Sequence, residues 1–184
     1  TVLGVGLLRP APGTWGSLFA LLAAFPILWI GGPGLLLASI AAAVLLGLWA
    51  IPRSKPSCLG LNDTPLEYFD ETRQRWIPHR GVLEEEFEDP PEVVIDELAG
   101  QWVALLPVAF GAWSNGVAYG ALWPGWVAAF VLFRLLDVWK PGPVGWADRR
   151  PGAWGVLLDD LIAGALAAVG VALLAALSHG VLMR

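Results

Sequence analysis

Seven ionisable side chains stand where long uncharged stretches begin or end: Asp96, Glu97, Arg134, Asp137, Lys140, Asp159 and Asp160. A charge next to an apolar segment is costly unless it is paired, hydrated or bound to an ion, so each is a candidate for function. Five are carboxylates, with no His or Cys at any useful spacing. Oxygen-only ligation suits a hard cation, and Mg²⁺ takes one or two carboxylates and completes its shell with water and phosphate. Asp96, Glu97, Asp137, Asp159 and Asp160 are therefore expected as metal-holding and catalytic acids, with Mg²⁺ as cofactor. Arg134, Asp137 and Lys140 recur at i, i+3 and i+6, a step of about 300° that keeps them on one side of a helix. Arg134 offers paired donors matched to phosphate oxygens, and Lys140 offers a mobile point charge. Upstream, Pro12-Gly13-Thr14-Trp15-Gly16-Ser17 combines small residues with two hydroxyls at a helix start. That geometry can present backbone N–H groups and the Thr14 and Ser17 side chains to an anion such as phosphate. Each feature has a plainer explanation alone: an intrahelical ion pair, acids complementing a helix dipole, or an N-cap.

The elements that must position these groups follow from where charge is missing. No charged residue lies between Arg9 and Arg53, between Glu97 and Arg134, or between Asp160 and Arg184. Against about 20 residues per spanning helix, the first stretch holds two helices, at about 17–30 and 35–51, divided by Gly31-Gly32-Pro33-Gly34. The second holds helices at about 97–112 and 121–139, divided at Trp113-Ser114-Asn115-Gly116. The third holds one at about 157–177. The expected fold is an all-α, polytopic membrane helical bundle of about five segments in a single domain. Lys and Arg lie before the first span and after the second and fourth, so the positive-inside rule predicts a cytoplasmic N-terminus. All seven charged candidates then fall at one membrane level.

Of 184 residues, 57% are hydrophobic and only 15% charged, against about a quarter charged in soluble domains. Disorder, nucleic-acid binding and a disulfide scaffold are excluded by the same numbers, and Cys58 stands alone. No basic stretch, apolar core and cleavage site open the chain, so no secretory signal is expected. The net charge of −5 resides in a polar insertion at about 52–95, expected on the cytoplasmic side. There Thr64-Pro65-Leu66-Glu67 reads as a capped helix start, and a short surface helix or a linker fits equally. The acids Glu84 to Asp89 read as a solvated face. His79 and His179 are expected to be structural.

Taken together, these blocks resemble the phosphatidylglycerophosphatase A family of bacterial membrane phosphatases. The resemblance rests on Pro12 to Ser17, on Asp89-Pro90-Pro91-Glu92-Val93-Val94-Ile95-Asp96-Glu97 with Gly100, on Phe133 to Pro143, and on Gly155 to Asp160 with Ala163-Gly164. It covers most of the chain outside 52–88. It implies Mg²⁺-dependent hydrolysis of phosphatidylglycerophosphate to phosphatidylglycerol and phosphate at the cytoplasmic face of the inner membrane. The same resemblance implies the five acids as functional positions, with Arg134 and Lys140 as phosphate contacts. The 52–88 insertion and Leu158 depart from the family pattern without touching the polar set. Water activated by the metal and direct attack by Asp159 or Asp160 both remain open as the first step. A phosphatidyl-alcohol transferase would also place Asp clusters and Mg²⁺ at a membrane face, but its Asp-Gly-x2-Ala-Arg run is missing. An ion-coupled transporter would spread its charges through the membrane depth.

Overall fold

The structure is a computed structural model of the full chain. It describes residues 11–54, 67–70, 75–78, 94–150 and 152–182. In chain order the elements are α1 (Pro12–Ser54), β1 (Glu67–Asp70), β2 (Arg75–Pro78), α2 (Ile95–Ala104), α3 (Leu106–Ser114), a 3-10 turn (Tyr119–Leu122), α4 (Trp123–Trp139), α5 (Pro143–Asp148) and α6 (Ala153–Leu182).

Helix α1 is broken at Gly32, whose φ of 60° and ψ of −159° belong to a region that only glycine enters freely. Pro33 then restarts the helix at a position where its missing N–H costs nothing. The break is a reversal. A methyl at Gly13 would meet Glu97, and one at Gly47 would lie 3.4 Å from Ile95, so both ends of α1 reach the start of α2. A straight helix would hold residues 13 and 47 about 50 Å apart. The chain thus turns back within the Gly31–Gly34 stretch that divides the two expected helices.

Helices α2 and α3 take the place of the single helix expected over 97–112. Pro107 removes a backbone donor and crowds the carbonyl one turn back, and the pause falls at Leu105. Both α4 and α6 match their expected positions, with α6 extending further at each end. Among the described residues, three helical stretches are long and apolar enough to cross a membrane: Gly13–Ile51, Tyr119–Trp139 and Ala153–His179. Their outward faces carry exposed Trp29, Ile30, Leu45, Val138, Leu173 and Leu177, which suits lipid contact and not water.

The insertion corrects an expectation. Glu67, read as part of a helix start, opens a strand: Glu67–Asp70 pairs antiparallel with Arg75–Pro78, with Tyr68 opposite Ile77 and Phe69 opposite Trp76. Aromatic and β-branched residues favour an extended pair over a helix. Among the described residues the fold is helical apart from this strand pair. Thr64, Glu84 to Asp89 and His79 lie outside the described residues.

The core runs between α1, α2, α4 and α6, where Ala20, Ala24, Ala99, Ala129, Phe133, Ala163 and Ala167 are fully buried. Small side chains let the helices approach closely. Trp102 Nε1 donates to the Ala20 carbonyl at 2.8 Å, tying α2 to α1 inside the core.

Candidate active site

The acids reach the site through close packing of α2 on α6. A methyl at Gly100 would fall 2.6 Å from the Asp160 carbonyl oxygen and 2.6 Å from the Phe133 ring, and one at Gly164 would collide with the Gly100 backbone. Asp96 and Asp160 each precede one of these glycines by four residues, one turn along the helix. The glycine contact therefore sets the two acids side by side, with α2 and α6 running in the same direction. Ligand oxygens of Asp96, Glu97 and Asp160 all lie within 4.8 Å of one another. Asp96 and Asp160 are buried.

Each tandem pair uses its first acid to hold the second. Asp96 Oδ1 accepts the Glu97 N–H at 3.0 Å, and Asp159 Oδ1 accepts the Asp160 N–H at 2.9 Å. The pairs then diverge. Asp159 Oδ2 accepts from Lys140 Nζ at 3.0 Å, so both its oxygens already meet protein donors. Lys140 also pairs with Asp148 at the end of α5. Burial disfavours the Lys140 charge, but its hydrogen bonds and ion pairs with Asp148 and Asp159 outweigh that and raise its pKa above the usual lysine value. It sits in a left-handed conformation, φ 47°, as the C-cap of α4, with its N–H donating to Leu136 O at 2.8 Å.

Arg134 comes from α4. Its Nη1 pairs with Asp137 Oδ2, one turn along α4, and donates to Ser17 Oγ at 3.4 Å. Buried Ser17 in turn donates to the Gly13 carbonyl at 2.9 Å. A methyl at Gly13 would lie 2.5 Å from Glu97 Oε1 and 3.3 Å from Arg134 Nη1, so the bare backbone is what lets the first turn of α1 approach both groups. Asp137 adjoins the Asp160 carboxyl. Thr14 is exposed on the first turn of α1.

The structure thus gathers Asp96, Glu97 and Asp160 into one cluster, sets Asp137 and Arg134 beside it with Ser17 behind, and turns Asp159 toward Lys140. Two participants escape sequence reasoning. Asp148 lies in a stretch read only as a loop, although Pro143 marks a helix start there. Gln101 is fully buried on α2, with neither amide atom partnered in the protein; its signal is a lone polar residue in an apolar run.

Three clustered carboxylates beside one guanidinium leave excess negative charge in a poorly hydrated place, an arrangement that a divalent cation would relieve. Oxygen donors facing a cation on one side and an arginine on the other are suited to phosphoryl chemistry.

Comparison with known proteins agrees with this chemistry. The family description Phosphatidylglycerophosphatase A matches residues 74–175, which include all the clustered acids and Arg134. The chain is 31% identical over 167 residues to phosphatidylglycerophosphatase A of Escherichia coli K12, covering 90% of this chain and 74% of that protein. It is 28% identical to the Haemophilus influenzae protein of the same name, covering 91% and 81%. A Bacteroides thetaiotaomicron protein provisionally named phosphatidylinositol-3-phosphatase is 33% identical, covering 89% and 83%. No solved structure gives a significant match. A cluster of acids beside an arginine, carried by helices that lie within the matched stretch, agrees with these likenesses, and the chain belongs to the phosphatidylglycerophosphatase A family of lipid phosphatases.

Proposed function

We propose that this chain hydrolyses the terminal phosphomonoester of phosphatidylglycerophosphate, giving phosphatidylglycerol and inorganic phosphate, with Mg²⁺ as cofactor. The observation that carries the reading is the convergence of Asp96, Glu97 and Asp160 beside Arg134. The donor set fits the ion: every candidate ligand is a carboxylate oxygen, and Glu97 Oε2 has no protein donor competing for it. Asp96, Glu97 and Asp160 would hold the cation, with Asp137 adjoining. A divalent ion there supplies charge neutralisation at the phosphoryl oxygens.

The chain's own residues do the rest. Arg134, braced by Asp137 and Ser17, keeps the remaining donors of its fork for phosphate. Thr14, exposed on the first turn of α1, would meet the headgroup. Asp159 acts through Lys140, tying the end of α4 to α6. Water is the attacking group in this reading; a phosphoenzyme trapped in acid-quenched turnover would replace it with a carboxylate.

The topology proposed is five crossings, two from α1 and one each from α2 with α3, α4 and α6, with the N-terminus and the site on the cytoplasmic side of the inner membrane. Support comes from the return of α1 at Gly32 and from the basic residues Arg53, Lys140, Arg149 and Arg150.

The test is phosphate release from phosphatidylglycerophosphate in mixed micelles by the purified full chain, before and after chelation and with Mg²⁺ restored. Activity that disappears with chelator and returns with Mg²⁺ is expected. Phosphatidylinositol 3-phosphate serves as the comparison substrate, and a chain that cleaves it in preference would displace this assignment.

A further inference from the structure

Gln101 lies within α2, wholly buried, and neither its Nε2 nor its Oε1 has a hydrogen-bond partner in the protein. Among the described residues, Glu97 Oε2 is the other buried side-chain atom in that condition. The two stand at i and i+4 on one helix, which stacks their side chains one turn apart on one face, with Cβ atoms about 5–6 Å apart. A buried amide without a partner is costly, and folded proteins hold few of them. A leucine would fill the same space at no such cost. That the orphaned atoms are an amide and a carboxylate oxygen on neighbouring turns, instead of scattered through the bundle, indicates a partner shared between them.

We propose that Gln101 is a positioning residue for the acidic cluster, its amide holding Glu97 Oε2 through one shared water. Nε2 donates to the water and the water donates to Glu97 Oε2, each contact spanning ordinary hydrogen-bond length. Fixing Oε2 in this way decides which Glu97 lone pairs face Asp96 and Asp160. The proposal rests on the reading of Asp96, Glu97 and Asp160 as a cation site.

The test uses Mn²⁺, an oxygen-seeking ion visible by electron paramagnetic resonance, titrated into the detergent-purified full chain. Gln101→Met keeps the volume and removes the amide. Its Mn²⁺ affinity is expected to fall about 10–100-fold, the range typical for loss of a partner behind a metal ligand, with kcat lowered and KM for lipid little changed. A Glu97→Gln/Gln101→Met double variant is expected to bind Mn²⁺ no more weakly than Glu97→Gln, because Gln101 acts through Glu97. Gln101→Asn, which withdraws the amide by one methylene, carries the same expectation if Gln101→Met does not fold. If Glu97→Gln loses Mn²⁺ while the Gln101 variants bind within twofold of wild type, or if the losses simply add, the positioning role is wrong and the cation site stands. Wild-type Mn²⁺ affinity in Glu97→Gln would overturn the cation site and the role of Gln101 with it.

Discussion

Asp159 and Asp160 are adjacent and chemically identical, yet the fold gives them different partners. Asp159 gives one oxygen to the Asp160 N–H and the other to Lys140, while Asp160 joins Asp96 and Glu97. Asp160→Asn and Glu97→Gln are each expected to lower kcat by at least about 10²–10³-fold, equivalent to a few kcal/mol of charge stabilisation at the reacting phosphate. Asp159→Asn is expected to cost only about 10-fold, since an amide oxygen still accepts from Lys140 or the Asp160 N–H. Phosphate-release kinetics on folded, detergent-solubilised variants check both, and equal losses at the two Asp positions would erase the distinction. Arg134→Lys is expected to reduce kcat/KM by about 10²-fold, because an ammonium cannot keep Asp137 and Ser17 engaged while presenting a planar fork to phosphate. A loss of under threefold would show that only the charge matters.

Between elements, the contact of Gly100 with Gly164 has the most direct consequence, because it determines how near the acids of α2 come to those of α6. Gly100→Ala would drive a methyl into the Asp160 carbonyl and the Phe133 ring. It is expected to destabilise the bundle by about 1–3 kcal/mol, the usual cost of overpacking, and to lower Mn²⁺ affinity by parting the helices. Gly34→Ala meets nothing within 4 Å and serves as the control, with little change in thermal unfolding. Sequence spacing located the helix break at Gly31–Gly34, since glycines followed by proline permit little else. It read the segment around Glu67 as a helix start or a linker, whereas Glu67–Asp70 is a strand paired with Arg75–Pro78, because a capping pattern worth about 1 kcal/mol is local and carries no information about a partner strand.

At the scale of the whole molecule, the charged side chains of the described helices collect at one end. Glu97, Arg134 and Asp160 meet there, whereas the opposite end, with Gly32, Trp113 and Tyr119, is lined by apolar and aromatic groups. The proposed topology places the insertion and the site on one side of the membrane and Asn115 on the other. Cys58, the only cysteine, is therefore expected to react with an impermeant maleimide in inverted vesicles alone. In a Cys58→Ser background, Asn115→Cys is expected to react only in right-side-out vesicles. Labelling of both from the same side would refute the crossing pattern.

By itself the sequence determined that this is a chain of apolar helices with its charges at their ends, because the free energy of placing charge in hydrocarbon is so unfavourable that composition alone exposes the spans. It also singled out Asp96, Glu97 and Asp160, the acids that the fold brings together, while passing over Asp148, because charges at the ends of apolar runs stand out and one in a short polar stretch does not. What only the tertiary structure decided is which acids meet. Three side chains from α2 and α6 converge because two glycines allow their helices to touch, and Asp159 is drawn off by a lysine nineteen residues earlier in the chain. Such pairings depend on ångström-scale helix contacts, and hydropathy and spacing, which act along the chain, carry no information about distances across it.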